Sequence, residues 1–222
     1  MQTITVQSYS RVRKMVTLAG LSSMAYVLWV VGRIPVVAFL RYDPGDVVVV
    51  FAALIFGPLA GFAMSVVVAF AQMVTLSETG PIGFIMNVIS TSAFACTAAY
   101  IYQRRQTLRC AVVGLILGII AMTSVMLLWN FIVTPIFMGL PRQAVVGMLL
   151  PVFLPFNLIK GGLNATLALL LYKPLIRALR ASRLIPEREE LIAQKSGLGI
   201  YLVTGLVLVT CVLVVMVFQG VI

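Results

Sequence analysis

Histidine is absent from this chain of 222 residues, and only six residues are acidic. Without histidine there is no Ser–His or Cys–His pair to activate a nucleophile, and no imidazole to bind a metal. The three cysteines, Cys96, Cys110 and Cys211, lie far apart in or beside apolar runs. That pattern fits neither a disulfide framework nor a zinc site. The glycine-rich loop with its Lys-Ser/Thr ending, which ATPases use to cradle phosphates, is also missing, so ATP hydrolysis is not expected of this chain. No catalytic residue, bound metal or resident cofactor is expected. Charge is scarce as well: 10% of residues are charged and 62% are hydrophobic. A soluble domain is about half apolar and a quarter charged. The excess implies lipid as the solvent.

In lipid every backbone polar group must be satisfied internally, which leaves helices or a closed barrel. The apolar runs are long and do not alternate with period two, so helices are expected. A span needs about 20 apolar residues. The candidates are Met15–Gly32, Val47–Leu76 with an interruption at Gly57-Pro58, Pro81–Gln103, Cys110–Thr134, Ala144–Tyr172 broken by Pro151 and Pro155, and Gly197–Gln219. Basic residues outnumber acidic ones by 16 to 6 and sit at the ends of these runs. They read as topology signals and contacts to anionic lipid rather than as a nucleic-acid surface. If Val47–Leu76 is two spans meeting at Gly57, the clusters Arg11/Arg13/Lys14, Arg104/Arg105/Arg109 and Lys173/Arg177/Arg180/Arg183 fall on one side. The positive-inside rule favours that division. The first of the pair is short, so it is expected to extend into Pro44–Asp46 or to be shielded by neighbouring helices.

The expected architecture is an all-α polytopic membrane protein in the cell membrane. Residues 1–14 form a cytoplasmic amino terminus, 15–181 a domain of six membrane helices, 182–196 a charged cytoplasmic linker and 197–219 an additional transmembrane helix.

Polar side chains inside a bilayer usually face a cavity or another helix. Asn87 is expected about two turns into the fourth helix, and Asn130 near the outer end of the fifth. Pro155 is a natural first-turn residue of the sixth. Asn157, Lys160 and Asn164 then follow at i, i+3 and i+7, on one helix face. Amides and an ammonium from three helices thus converge at the outer third, below the Arg33–Asp46 loop. Asn donates and accepts, and Lys donates. A polar heteroaromatic ring would match this set, with Trp129, Phe131, Phe153 and Phe156 near enough to stack on it. Asn87 and Asn164 also fit plain interhelical hydrogen bonds. Asp46 reads as a helix N-cap, and Asp43-Pro44-Gly45 as a turn. No carboxylate is expected within the helices. Ala19 and Ser23 form a small-x-x-x-small pair that allows close approach of another helix, internal or foreign.

The segments Tyr42-Asp43-Pro44-Gly45-Asp46, Phe56-Gly57-Pro58-Leu59-Ala60-Gly61, Gly80-Pro81-Ile82-Gly83-Phe84-Ile85-Met86-Asn87, Asn130 and Leu154-Pro155-Phe156-Asn157-Leu158-Ile159-Lys160-Gly161 together resemble the riboflavin-specific substrate-binding (S) component of energy-coupling factor transporters. The resemblance covers about Arg13 to Tyr172. It implies a six-helix S component that binds riboflavin on its extracellular side. It also implies docking on a transmembrane coupling protein with two cytoplasmic ATPases, and toppling in the membrane to release the vitamin. By the same resemblance Asn130, Asn157 and Lys160 hold the isoalloxazine ring, and the first loop covers it near Leu40. The Ala19/Ser23 pair meets the coupling protein at a position that the family usually fills with Ala-x-x-x-Ala. The helix at Gly197–Gln219 departs from the six-helix pattern. Two other readings stay open: the same architecture serving another heteroaromatic vitamin such as thiamin, and a structural membrane protein whose polar residues only join helices.

Overall fold

The computed structural model describes residues 2–37, 40–75, 79–181 and 198–218. The chain runs through helix α1 (Gln2–Gly32), a hairpin of strands β1 (Ile34–Val37) and β2 (Leu40–Tyr42), and helices α2 (Gly45–Phe56), α3 (Pro58–Thr75), α4 (Gly80–Arg105), α5 (Leu108–Met138), α6 (Arg142–Met148), α7 (Leu154–Ala181) and α8 (Leu198–Phe218). Among the described residues, five helical stretches have the length and composition to cross a bilayer: Arg11–Gly32, Pro58–Thr75, Gly80–Arg105, Leu108–Met138 and Arg142–Tyr172. The linker expected at 182–196 lies outside the described residues.

The break expected at Gly57-Pro58 is present. Gly57 adopts φ 103° and donates its N–H to the Ala53 carbonyl, which ends α2, and α3 begins at Pro58. Left-handed backbone of this kind favours glycine. α2 has 12 residues, and every one from Gly45 to Leu54 is buried. A helix apolar on all sides must be enclosed, and here α1, α3, α4 and α7 enclose it. The expected shielding of this short helix is therefore what the structure shows.

Small residues set the helix spacing. A Cβ on Gly114 of α5 would lie 2.7 Å from the Ala98 carbonyl oxygen of α4, and one on Gly118 would lie 2.8 Å from that of Phe94. One on Gly61 of α3 would lie 2.5 Å from the Ala53 Cβ of α2. Backbones can approach this closely only where side chains are minimal. α1 turns Thr17, Leu21, Ala25 and Trp29 inward at intervals of four residues.

At one end of the bundle Lys14 donates to the Phe56 carbonyl at 3.4 Å, a cation on the carboxyl end of α2. The hydroxyls of Tyr102 and Tyr172 lie 2.8 Å apart. Arg11–Lys14 and Arg104–Arg105 therefore share that end. The hairpin closes the other. Its Val36, Leu40 and Tyr42 pack with Val145, Phe153, Phe156, Ile159 and Leu163 in a second apolar cluster, with Leu208, Cys211 and Val215 of α8 against it.

Four features differ from the sequence reading. α1 begins at Gln2 rather than Met15, because nothing between them breaks a helix. The Arg33–Asp46 loop contains a hairpin, whose strands of four and three residues are too short for a period-two signal. α5 continues through Pro135 to Met138. The break expected at Pro151 and Pro155 is a π-turn over Leu149–Phe153 that connects α6 to α7 without a loop, while Pro155 falls in the first turn of α7 as expected.

Replacing Gly114 with Ala is expected to destabilise the purified protein by about 1–3 kcal/mol through overpacking. Replacing Gly20, which has open space around it, is expected to stabilise it by about 0.5–1 kcal/mol. Thermal unfolding in detergent checks both; a stabilised Gly114→Ala protein would contradict the close α4–α5 contact.

Candidate functional site

Beneath the hairpin lies a cavity enclosing about 1050 Å³ of atom-free space, its open mouth included. Its walls come from five elements. α1 provides Trp29, and the hairpin region provides Arg33, Leu40, Arg41, Tyr42 and Asp43. α4 contributes Ile82, Gly83, Met86, Asn87 and Ser90. From α5 come Met126, Trp129, Asn130, Val133, Thr134 and Phe137, and from α7 Phe156, Asn157 and Lys160.

The cavity thus brings together Asn87, Asn130, Asn157, Lys160 and Leu40, five of the six expected ligand contacts. Asn164 is not among its walls. It is buried one turn deeper, where its Oδ1 accepts from the Tyr42 hydroxyl at 2.9 Å. This bond ties the end of β2 to α7, and among the described residues its Nδ2 has no partner. Trp129 and Phe156 line the cavity as expected; Phe131 is exposed on the outside of α5 and Phe153 is buried behind the wall.

The amides are held by their own helices. Asn130 Nδ2 donates to the Met126 carbonyl at 2.7 Å, and its Oδ1 accepts from the Thr134 hydroxyl at 2.9 Å. Asn157 Nδ2 donates to the Phe153 carbonyl at 2.7 Å. Each amide has a second N–H, and among the described residues no group donates to the Asn157 Oδ1. Both can therefore serve a ligand edge as donor and acceptor.

Two carboxylates shape the other side of the site, and the sequence reading placed neither there. Asp46 was expected as an N-cap. Instead Pro44 occupies the cap position, with no side-chain hydrogen bond. Asp46 lies in the first turn of α2, and its Oδ2 meets Lys160 Nζ at 2.9 Å; the two side chains are 10% and 8% exposed. Its Oδ1 accepts from the Thr91 hydroxyl at 2.7 Å. The expectation that no carboxylate lies within the helices is thus overturned. From the first turn of α2, Asp46 supplies the buried Lys160 ammonium with a counter-charge in direct contact.

Asp43 does make the turn expected of it, accepting from Gly45 N–H at 2.8 Å through Oδ1. Its Oδ2 also accepts from Gln72 Nε2 at 3.0 Å, and Gln72 Oε1 accepts from Asn87 Nδ2 at 3.1 Å. This chain ties the hairpin to α3 and α4. Burial pushes the Asp43 carboxyl up to about 7, with the Asp46 charge adding to the rise and Lys160 opposing it. Burial likewise holds the Tyr42 hydroxyl protonated well above its usual range. Gln72 and Thr91 gave no signal in the sequence, because a polar residue on an apolar helix does not reveal its partner. The Arg33 guanidinium lies 4.8 Å over the Trp29 ring at the mouth.

Ala19 and Ser23 are exposed on α1, and the Ser23 hydroxyl is satisfied by the Ala19 carbonyl at 3.1 Å. Internal packing therefore does not use this small-residue face.

Residues 13–172 match the family described as ECF transporter, substrate-specific component. The riboflavin transporter FmnP of Bacillus subtilis (strain 168) is 30% identical over 164 residues, spanning 68% of this chain and 85% of that protein. The riboflavin transporter RibU of Staphylococcus aureus (strain TCH60) is 30% identical over 176 residues, spanning 76% and 93%. A solved S component of a bacterial ECF transporter superposes with TM-score 0.65 at 29% identity, covering 77% of this chain and 99% of that one. The cavity, the fold and these matches lead to one identification: the chain belongs to the family of substrate-specific components of ECF transporters.

Proposed function

We propose that this protein is the riboflavin-binding S component of an ECF importer. It captures vitamin B2 from outside the cell and delivers it inward when docked on an energising module. The observation that carries this reading is the cavity whose wall joins Asn130, Asn157 and Lys160 to Trp129 and Phe156. Riboflavin presents a flat ring edged with carbonyls and ring nitrogens, and a polar ribityl tail. Paired donors and acceptors beside aromatic faces suit the ring. The mouth polar groups of Arg33, Arg41 and Asn87 suit the tail. Leu40, in the hairpin, covers the ring. Both curated relatives are named as riboflavin transporters, which favours this vitamin over thiamin.

The cavity opens at the end opposite Arg11–Lys14 and Arg104–Arg105. The positive-inside rule puts that basic end, and the amino terminus with it, in the cytoplasm. The ligand then enters from outside. The exposed Ala19/Ser23 face of α1 is the docking surface for the transmembrane coupling protein, whose two cytoplasmic ATPase partners supply the energy.

Purified in detergent, the protein is expected to quench riboflavin fluorescence at roughly one-to-one stoichiometry. Asn157→Ala should weaken binding by about 1–3 kcal/mol, since a ligand polar group then loses its partner in a dry site; an unchanged affinity removes Asn157 from the site. Ala19→Leu is expected to abolish co-purification with the coupling protein and ATPases while riboflavin quenching by the isolated chain persists. Retained co-purification would move the docking surface elsewhere.

A further inference from the structure

Asp46 is not among the residues lining the cavity, yet its carboxylate holds the ammonium that is. We infer that Asp46 is a positioning residue for the transported ligand. It fixes Lys160 Nζ in the cavity wall, and Thr91 fixes Asp46 in turn. The inference rests on Lys160 being a ligand contact and explains how it can be one.

A lysine carries a compact charge on a flexible four-carbon stem. Near the end of a membrane helix its default is to extend toward water with its head solvated. Lys160 instead is buried at 7% exposure. Both oxygens of Asp46 are engaged, one by Lys160 on α7 at 2.9 Å and one by Thr91 on α4 at 2.7 Å. The carboxylate is therefore clamped from two helices and cannot follow a wandering ammonium. Asp43 already accepts from Gln72 and Gly45, so its two oxygens are engaged elsewhere. Of the three N–H groups on Nζ, one points at Asp46 and two remain. The site thus offers a donor pair ordered before the ligand arrives, which reduces the entropy lost on binding. Because the pair is neutral as a unit, the donors suit an uncharged acceptor on a heteroaromatic ring rather than an anion.

The test is a double-mutant cycle on the full chain in detergent, read by quenching of riboflavin fluorescence, with folding checked by thermal unfolding. D46N and K160M are each expected to weaken riboflavin binding about tenfold or more. The combined D46N/K160M protein should bind no more weakly than K160M alone, because Asp46 acts through Lys160. A merely structural role for Asp46 predicts the opposite: the K160M effect would persist in the D46N background and the two losses would multiply, overturning the inference. If either single variant fails to fold, T91V replaces D46N. It should weaken binding by about two- to tenfold where Lys160 is present and leave the affinity unchanged in the neutralised D46N/K160M background. A loss of equal size in both overturns the inference. An unmodified protein that does not quench riboflavin removes the riboflavin assignment and this inference with it.

Discussion

A charge inside a bilayer has to find its counter-charge within the protein, and the Asp46–Lys160 pair is where this chain meets that demand. The pair joins the short, buried helix α2 to the helix that carries Asn157. Thr91 brings in α4. Three elements distant in sequence thus meet at one point beside the cavity. Replacing such a pair with apolar groups is often neutral for stability. Here the pair adds something an apolar contact cannot: a polar wall in a fold otherwise made of Val, Ala, Leu and Phe.

Around that point the bundle divides into parts of different character. α2 to α5 approach through Gly61, Gly114 and Gly118, with backbone nearly against backbone. Side chains there have no slack. The hairpin is attached by its apolar cluster with α6 and α7 and by a few polar links: Tyr42 to Asn164, and Asp43 through Gln72 to Asn87. A close-packed floor and a cover held by one apolar cluster and a few hydrogen bonds are what a binding site needs if the ligand has to enter and leave.

Much of this was legible in the sequence. The Gly57-Pro58 break followed from the charge distribution. The convergence of Asn130, Asn157 and Lys160 followed from helical spacing and the proline at position 155. What was hidden depended on distance in the chain. Asp46 precedes an apolar run, which is also where a cap would sit, and only Lys160, on a helix far along the chain, distinguishes the two. Asn164 shares a face with Lys160, but a turn of depth separates a cavity wall from a structural anchor. The π-turn over Leu149–Phe153 was hidden because two prolines so close together normally mark a loop.

The α2 carboxylate also bears on how the protein is made. Synthesis proceeds from the amino terminus, so Asp46 reaches the membrane long before α7 exists. Its helix has only 12 residues, too few to settle across lipid alone. Until α7 is made, Asp46 lacks the ammonium it meets in the finished fold. The ligand site is therefore complete only once the chain has been made through α7, with α8 still to follow.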